Sequence, residues 1–568
     1  GVILRIFYLG PVAWQLQRVQ NTKMSIMPKT PIDALAERYA ADLAELDPVT
    51  ATEIGLPDYA DKLPDYSQDG ADALDQLQAR VLTELKGLEP ENFQDTVTRD
   101  ALIERLTVDR QLHATGVVEL NNIASPVQDI RATFDLMPTQ THEDWRNIAA
   151  RLSKVETALS GYRSRLDAAV TRGQVPAQRQ VDACIFQTQA AATGFFTELI
   201  APATQLPQAL RSDLERAAAQ AAEAYAGFAH YLAEDLRPCA RTEDAVGADY
   251  YALASRRFLG ATVDLAETYE WGLAELQRIV DEQHRVADSI QAGASIAQAR
   301  QHFSADPARQ LHGTEALRQW MQQLSDITID AMKQHFHIPS PMDYVEAMIA
   351  PTQDGGIYYT PPSQDFSRPG RMWWSVPEGE DTFTTWEQTT TVYHEGVPRH
   401  HLQIATAMLN ADQLNSWRRN WLWVSGHGEG WALYAEDLMR ELGYLDDPGD
   451  YLGMLDAQRM RAARVVFDIG VHCGFTAPEA WGGKVWDAET GFAFLQEHLH
   501  ETPGVLDFEF TRYLGWPGQA PSYAVGKRIW QQIRAAHETA PDFDLKTFHT
   551  RALELGSMGL ETLEKALR

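Results

Sequence analysis

The chain has 568 residues, 44% hydrophobic and 10% aromatic, enough apolar side chain for a large buried core. With 79 Asp and Glu against 49 Lys and Arg the net charge is −30, which argues against nucleic acid, anionic membrane surfaces and acidic polymers as partners. Three widely spaced cysteines (Cys184, Cys239, Cys473) fit a reducing cytoplasm better than a disulfide framework.

The first 14 residues are apolar but interrupted by Arg5 and Pro11, and fall short of the ~20 a membrane span requires. Residues 1–23 read as an extension or disordered arm, and no function is assigned to them. From residue 24 to 568 the pattern is that of one mainly α domain, with an N-terminal helical part to about 335 and a site-bearing part from about 336. Pro31 to Leu43 spaces its apolar residues three and four apart, the signature of an amphipathic helix. Further helical patterns run over 70–87, 97–113, 142–172, 178–200, 207–236, 263–292 and 313–336, rich in Ala, Leu, Glu, Gln and Arg. No fixed-period repeat and no flexible linker interrupts them.

The pattern changes near residue 340. Tyr344–Ala350, Gly356–Pro362 and Arg371–Pro377 read as three short strands, β-branched and aromatic, bounded by Pro, Gly and Asp. They predict a small antiparallel sheet whose candidate edge, Arg371–Val376 with Trp374, would pair with an extended peptide, or a sheet that merely props the helix that follows.

A helix starting near Thr384 then leads into His394-Glu395-Gly-Val-Pro398-Arg399-His400-His401-Leu-Gln403. A zinc-binding helix normally places two histidines four apart, on one face. Here the residue four after His394 is Pro398. On a straight helix His400 would lie roughly 240° around from His394, and His401 about 10 Å further along. Proline forbids a straight helix, because it lacks an N–H and clashes with the preceding turn. If Gly396 to Arg399 loop out, His400 drops into the position of the second ligand.

This stretch resembles the hallmark His-Glu-x-x-Pro-Gly-His, followed by Leu-Gln, of the bacterial DUF885 family. Its members are predicted zinc metallopeptidases (gluzincin-like) related to the helical thermostable carboxypeptidase and angiotensin-converting-enzyme group. The resemblance implies a large helical metallopeptidase-like fold with a deep cleft and one Zn2+ ion. Arg399 stands where the family usually has Gly, placing a cation in the detour as a candidate substrate contact. Downstream, the resemblance carries the Glu429-Gly-Trp-Ala…Glu436 pattern. Glu429, 29 positions after His400, is implied as third ligand, with His427 as a substitute, and Glu436 and His401 as supporting residues. The shared Arg464…Asp468-x-Gly-x-His472 pattern lines those side chains on one helix face. His472 is then either a transition-state residue oriented by Asp468 or a satisfied core histidine. The block Arg512-Tyr…Pro-Gly-Gln519…Tyr523 also resembles the family. Tyr523 or Gln519 would steady an oxyanion or fill a packing corner, and Arg512 would bind a substrate carboxylate or pair with an acidic neighbour.

These parts compose a hydrolase of short peptides, carboxypeptidase-like by analogy. Zinc is held by His394, His400 and Glu429, Glu395 is the general base, and His472 or Tyr523 is the oxyanion partner. A zinc amidohydrolase acting on a non-standard amide and a non-catalytic peptide-binding protein are the alternatives. A homodimer is compatible with the sequence; nucleic acid and membrane are not expected partners.

Overall fold

A computed structural model describes residues 29–350, 357–363 and 365–568. The expectation for residues 1–23 lies outside the described residues. The described chain groups into two compact units, one of 29–246 with Asp507–Pro517, the other of Gly247–Leu506 with Gly518–Arg568. The division thus falls earlier than the one near 335 read from the sequence.

The first unit is helical. Thr30 and Asn92 cap Pro31–Leu46 and Phe93–Ala114 by accepting from the N–H groups of Asp33 and Asp95. Gln68–Leu85, Gln178–Ala190 and Gln208–Tyr231 fall where the apolar spacing puts them. The single helix expected over 142–172 is two, His142–Leu152 and Val155–Thr171. The turn at the exposed pair Ser153–Lys154 lets Leu152 and Val155 both point inward. Arg151, fully buried, binds Thr133 Oγ1 (2.7 Å), Thr52 Oγ1 (2.8 Å) and the carbonyls of Tyr59, Lys62 and Pro48, which fastens the segment before Gln68 onto this core.

The second unit carries the sheets and the site. Two 26-residue helices, Leu265–Ile290 and Pro448–Cys473, lie against each other. Gln283 bridges Asp456 (2.6 Å) and Arg459 (2.9 Å) between them. Among the described residues there are five short strands: β1 (Gln310–His312), β2 (Val345–Ile349), β3 (Ile357–Thr360), β4 (Gly370–Trp374) and β5 (Thr382–Thr384). β1 and β5 form an antiparallel pair, with Leu311 opposite Phe383. This pairing corrects the helix start expected near Thr384: the β-branched Thr382-Phe-Thr384 is strand, and the helix begins at Thr389.

The remaining strands form a sheet in the order β2-β4-β3, β4 running antiparallel to β3 and parallel to β2. The expected edge strand is therefore the central one. Both of its backbone edges are spent on neighbours, so it has none to offer a peptide. Trp374 is buried edge-on against Phe383 (5.9 Å between ring centroids), so the substrate contact expected of it is not what its packing provides.

Candidate metal centre

The helix Thr389–Glu395 stops at Gly396 and a second, His400–Leu409, starts after Arg399, with a cis peptide at Val397–Pro398 between them. The detour is held at both ends. Gly396 O accepts from the N–H groups of Arg399 and His401, both at 3.1 Å, and Arg399 O accepts from Gln403 N at 2.9 Å, opening the next helix. Trp431, buried on the helix Ser425–Glu441, donates its indole N–H to Pro398 O at 3.1 Å. Arg399 has φ −103° and ψ −114°, outside the left-handed region that favours glycine.

Across this detour the Nε2 atoms of His394 and His400 face each other at 3.1 Å. Two nitrogens bound to one tetrahedral zinc at about 2.0–2.1 Å stand about 3.3 Å apart. One ligand atom from each of His394, His400 and Glu429 lies within 4.8 Å of the others, forming the sole such group of three found among the described residues. Glu429 arrives on Ser425–Glu441, pressed onto Ser522–Glu538 where glycines meet. A Cβ on Gly526 would lie 2.3 Å from Gly426 O, and one on Gly430 would lie 2.6 Å from Gly526 C. No larger residue fits at that crossing, and the close approach fixes where Glu429 projects.

The donor set fits a divalent ion. His400 is buried, and desolvation, helped by the Arg399 charge, pushes its imidazole down to about 3, leaving it neutral as a ligand must be. Glu395 is buried beside Glu429. Burial first, then the Glu429 carboxylate, drives its carboxyl well above the ordinary range, the mark of clustered negative charge that a cation would relieve. Glu395 Oε2 has no hydrogen-bond partner among the described residues. The His394 side chain, 15% exposed, is the most open of the three candidate ligands.

Arg399 turns inward and is fully buried. Its Nη1 pairs with Glu436 Oε1 at 2.6 Å, and its Nη2 lies 3.0 Å from His394 Nε2. A guanidinium can only donate, so the His394 lone pair is on Nε2 and its proton on Nδ1, 3.9 Å from Glu436 Oε1. That is the tautomer that ligation through Nε2 demands. The expected substrate contact by Arg399 is corrected, because a buried ion pair consumes the side chain. His427 lies outside the group, with its Nδ1 3.3 Å from Gln403 Nε2 and its ring against Trp530. His401 uses both nitrogens elsewhere, Nδ1 to Tyr359 Oη (2.6 Å) and Nε2 to Met342 O (2.7 Å), tying the second helix to the sheet.

The model of the family described as "Bacterial protein of unknown function (DUF885)" matches residues 48–567. The chain belongs to the DUF885 family. No curated protein matches it. Two solved structures share the fold. "The putative lipoprotein from Colwellia psychrerythraea" is 22% identical with a TM-score of 0.77, covering 94% of this chain and 98% of its own. "A putative lipoprotein of unknown function from Shewanella oneidensis" is 15% identical with a TM-score of 0.73, covering 94% and 99%. Among the described residues no helix is long and apolar enough to cross a membrane.

In this DUF885 chain the remaining candidates fall into two groups. Asp468 Oδ2 accepts from Tyr251 Oη (2.7 Å) and Gly518 N (2.8 Å), while its Oδ1 is 3.7 Å from His472 Nε2. The carboxylate expected to orient His472 through a hydrogen bond is thus out of reach for one and anchors other segments. His472 is fully buried, stacked on Tyr251 at 5.6 Å. Gln519 is buried and its main-chain carbonyl accepts from Ser522 Oγ at 2.5 Å. The buried Tyr523 ring lies under two guanidinium groups, Arg464 at 5.0 Å and Arg461 at 5.8 Å. Arg512 belongs to the other unit, where it pairs with Glu509 at 2.9 Å, both fully buried, the acidic-neighbour option left open by the sequence. Tyr251, 217 positions from Asp468, and Tyr359 escaped the sequence reading because neither sits in a motif.

Proposed function

We propose that this protein is a zinc-dependent hydrolase of short peptides. The observation that carries the reading is the convergence of His394, His400 and Glu429 within 4.8 Å, with the buried Glu395 next to the first ligand. Zinc held by these three would supply Lewis-acid polarisation of a carbonyl and a lowered pKa for water. Glu395 takes the proton of the attacking water and delivers it to the leaving amine. Glu436, with one oxygen 3.9 Å from His394 Nδ1, favours the proton on that nitrogen. The Tyr523 hydroxyl or His472 steadies charge on the carbonyl oxygen. A cleft admitting only short peptides, and a cytoplasmic location, belong to the same proposal.

One observation favours a second reading, a peptide-binding protein with a degenerate metal site. The Arg399 guanidinium, 3.0 Å from His394 Nε2, puts positive charge where an ion would bind. Metal analysis with Glu395→Gln separates the two. Zinc retained with hydrolysis lowered by about 100-fold or more supports the enzyme. Zinc absent from both proteins, with peptide still bound, supports the binding module. Cleavage products from a peptide library distinguish a peptidase from a hydrolase of some other amide.

A further inference from the structure

Arginines of the second unit mostly meet carboxylates: Arg399 with Glu436, Arg309 with Asp447, Arg300 with Asp456, Arg534 with Glu441. Arg461 does not. On the helix Pro448–Cys473, its Nη1 reaches, among the described residues, only Ala457 O (3.2 Å) and Met460 Sδ (3.8 Å) of its own helix, and its buried Nε has no hydrogen-bond partner among them. It is partly exposed, and no carboxylate pairs with it among the described residues. A guanidinium drawn this far out of water without a counter-ion costs stability, and an anion arriving beside it would recover that cost.

Its position gives that anion an identity. Arg461 lies over the Tyr523 ring at 5.8 Å, and Tyr523 stands about one turn before Gly526, whose backbone packs against Gly430, the chain neighbour of the candidate ligand Glu429. The unpaired cation therefore stands beside the candidate metal centre, on a chain whose net charge of −30 otherwise repels anions. We propose that Arg461 receives the terminal carboxylate of a peptide lying across this centre, giving a preference for substrates with a free C-terminus. The assignment rests on the hydrolase reading above for the identity of the bound molecule. A guanidinium meets a carboxylate through two parallel N–H···O bonds, which a terminal amide cannot reproduce.

The test uses the full chain loaded with zinc and carrying Glu395→Gln, so that bound peptide is not consumed. Calorimetry compares an alanine pentapeptide with its C-terminal amide. The acid is expected to bind about 10- to 100-fold more tightly, the range for a hydrogen-bonded charge pair. Adding Arg461→Gln should weaken the acid alone, erasing the difference, and Arg461→Lys should restore part of it. Zinc content and Tm unchanged by Arg461→Gln would show the fold intact. Equal binding of acid and amide, a preference that survives Arg461→Gln, or binding of neither peptide overturns the assignment. With Glu395 restored, Arg461→Gln should raise KM for the free acid far more than it lowers kcat. A protein that selects the acid through Arg461 yet cleaves nothing would refute the hydrolase reading and leave the carboxylate site standing.

Discussion

Replacing Arg399 by glycine should move stability and metal affinity in opposite directions. Arg399 is fully buried and its partner Glu436 is 3% exposed. Removing the guanidinium strands that carboxylate, and breaking a buried pair from one side costs about 3–5 kcal/mol. The same removal frees the His394 lone pair, to which Nη2 now donates from 3.0 Å. An ion about 2 Å from that nitrogen would sit within about 5 Å of Nη2. At an effective dielectric of about 20, a unit charge and a divalent ion at such a distance repel by several kcal/mol. Glu436, 2.6 Å from the guanidinium, cancels much of this, so zinc affinity should rise by about tenfold or more. Scanning calorimetry of the metal-free protein should show Arg399→Gly unfolding earlier than wild type, and the double variant with Glu436→Gln recovering most of the loss. Zinc titration should then raise the Tm of Arg399→Gly more than that of wild type. Weaker zinc binding by Arg399→Gly would refute the view of Arg399 as a competitor for the His394 lone pair. Unchanged metal-free stability would refute the burial cost assigned to the pair.

Gly526→Ala places a methyl 2.3 Å from Gly426 O, so the helix bearing Glu429 must shift; a loss of about 1–3 kcal/mol in denaturant unfolding is expected, with weaker zinc binding by the same variant. Trp431→Phe removes the donor to Pro398 O and should cost about 1–3 kcal/mol, together with zinc affinity, because the detour that pairs the histidines loses its tie; full zinc retention would show that the detour holds without it. Glu53 supplies a pH test away from the centre. Its carboxyl is raised to about 8 by burial, then by Asp129 and Asp47. The folded state therefore holds this proton more tightly than the unfolded chain, so its contribution is full below about pH 4.5 and lost as pH rises through 8. Glu53→Gln should raise Tm at pH 8 relative to wild type and change it little at pH 4.5; equal shifts at both would refute the assignment.

Local chemistry wrote much of this molecule directly into the chain. Apolar spacing placed the long helices, and Pro398 dictated a break whose length let His400, rather than its neighbour, meet His394. The spacing within Glu429 to Glu436 put two carboxylates on one helix face, and the family resemblance named the first as ligand. Pairing between distant segments was not legible. Whether β4 lies at the edge or the centre depends on which strands flank it, and alternation of side chains is the same in either place. Asp468 gives its oxygen to Tyr251 and Gly518 because folding brings those partners closer than the histidine one turn along its own helix. Arg399 and Arg461 are equally cationic as letters; one is buried onto Glu436 and the other has no carboxylate partner among the described residues. Burial and partnership are properties of three-dimensional neighbours, and only the packed structure assigns them.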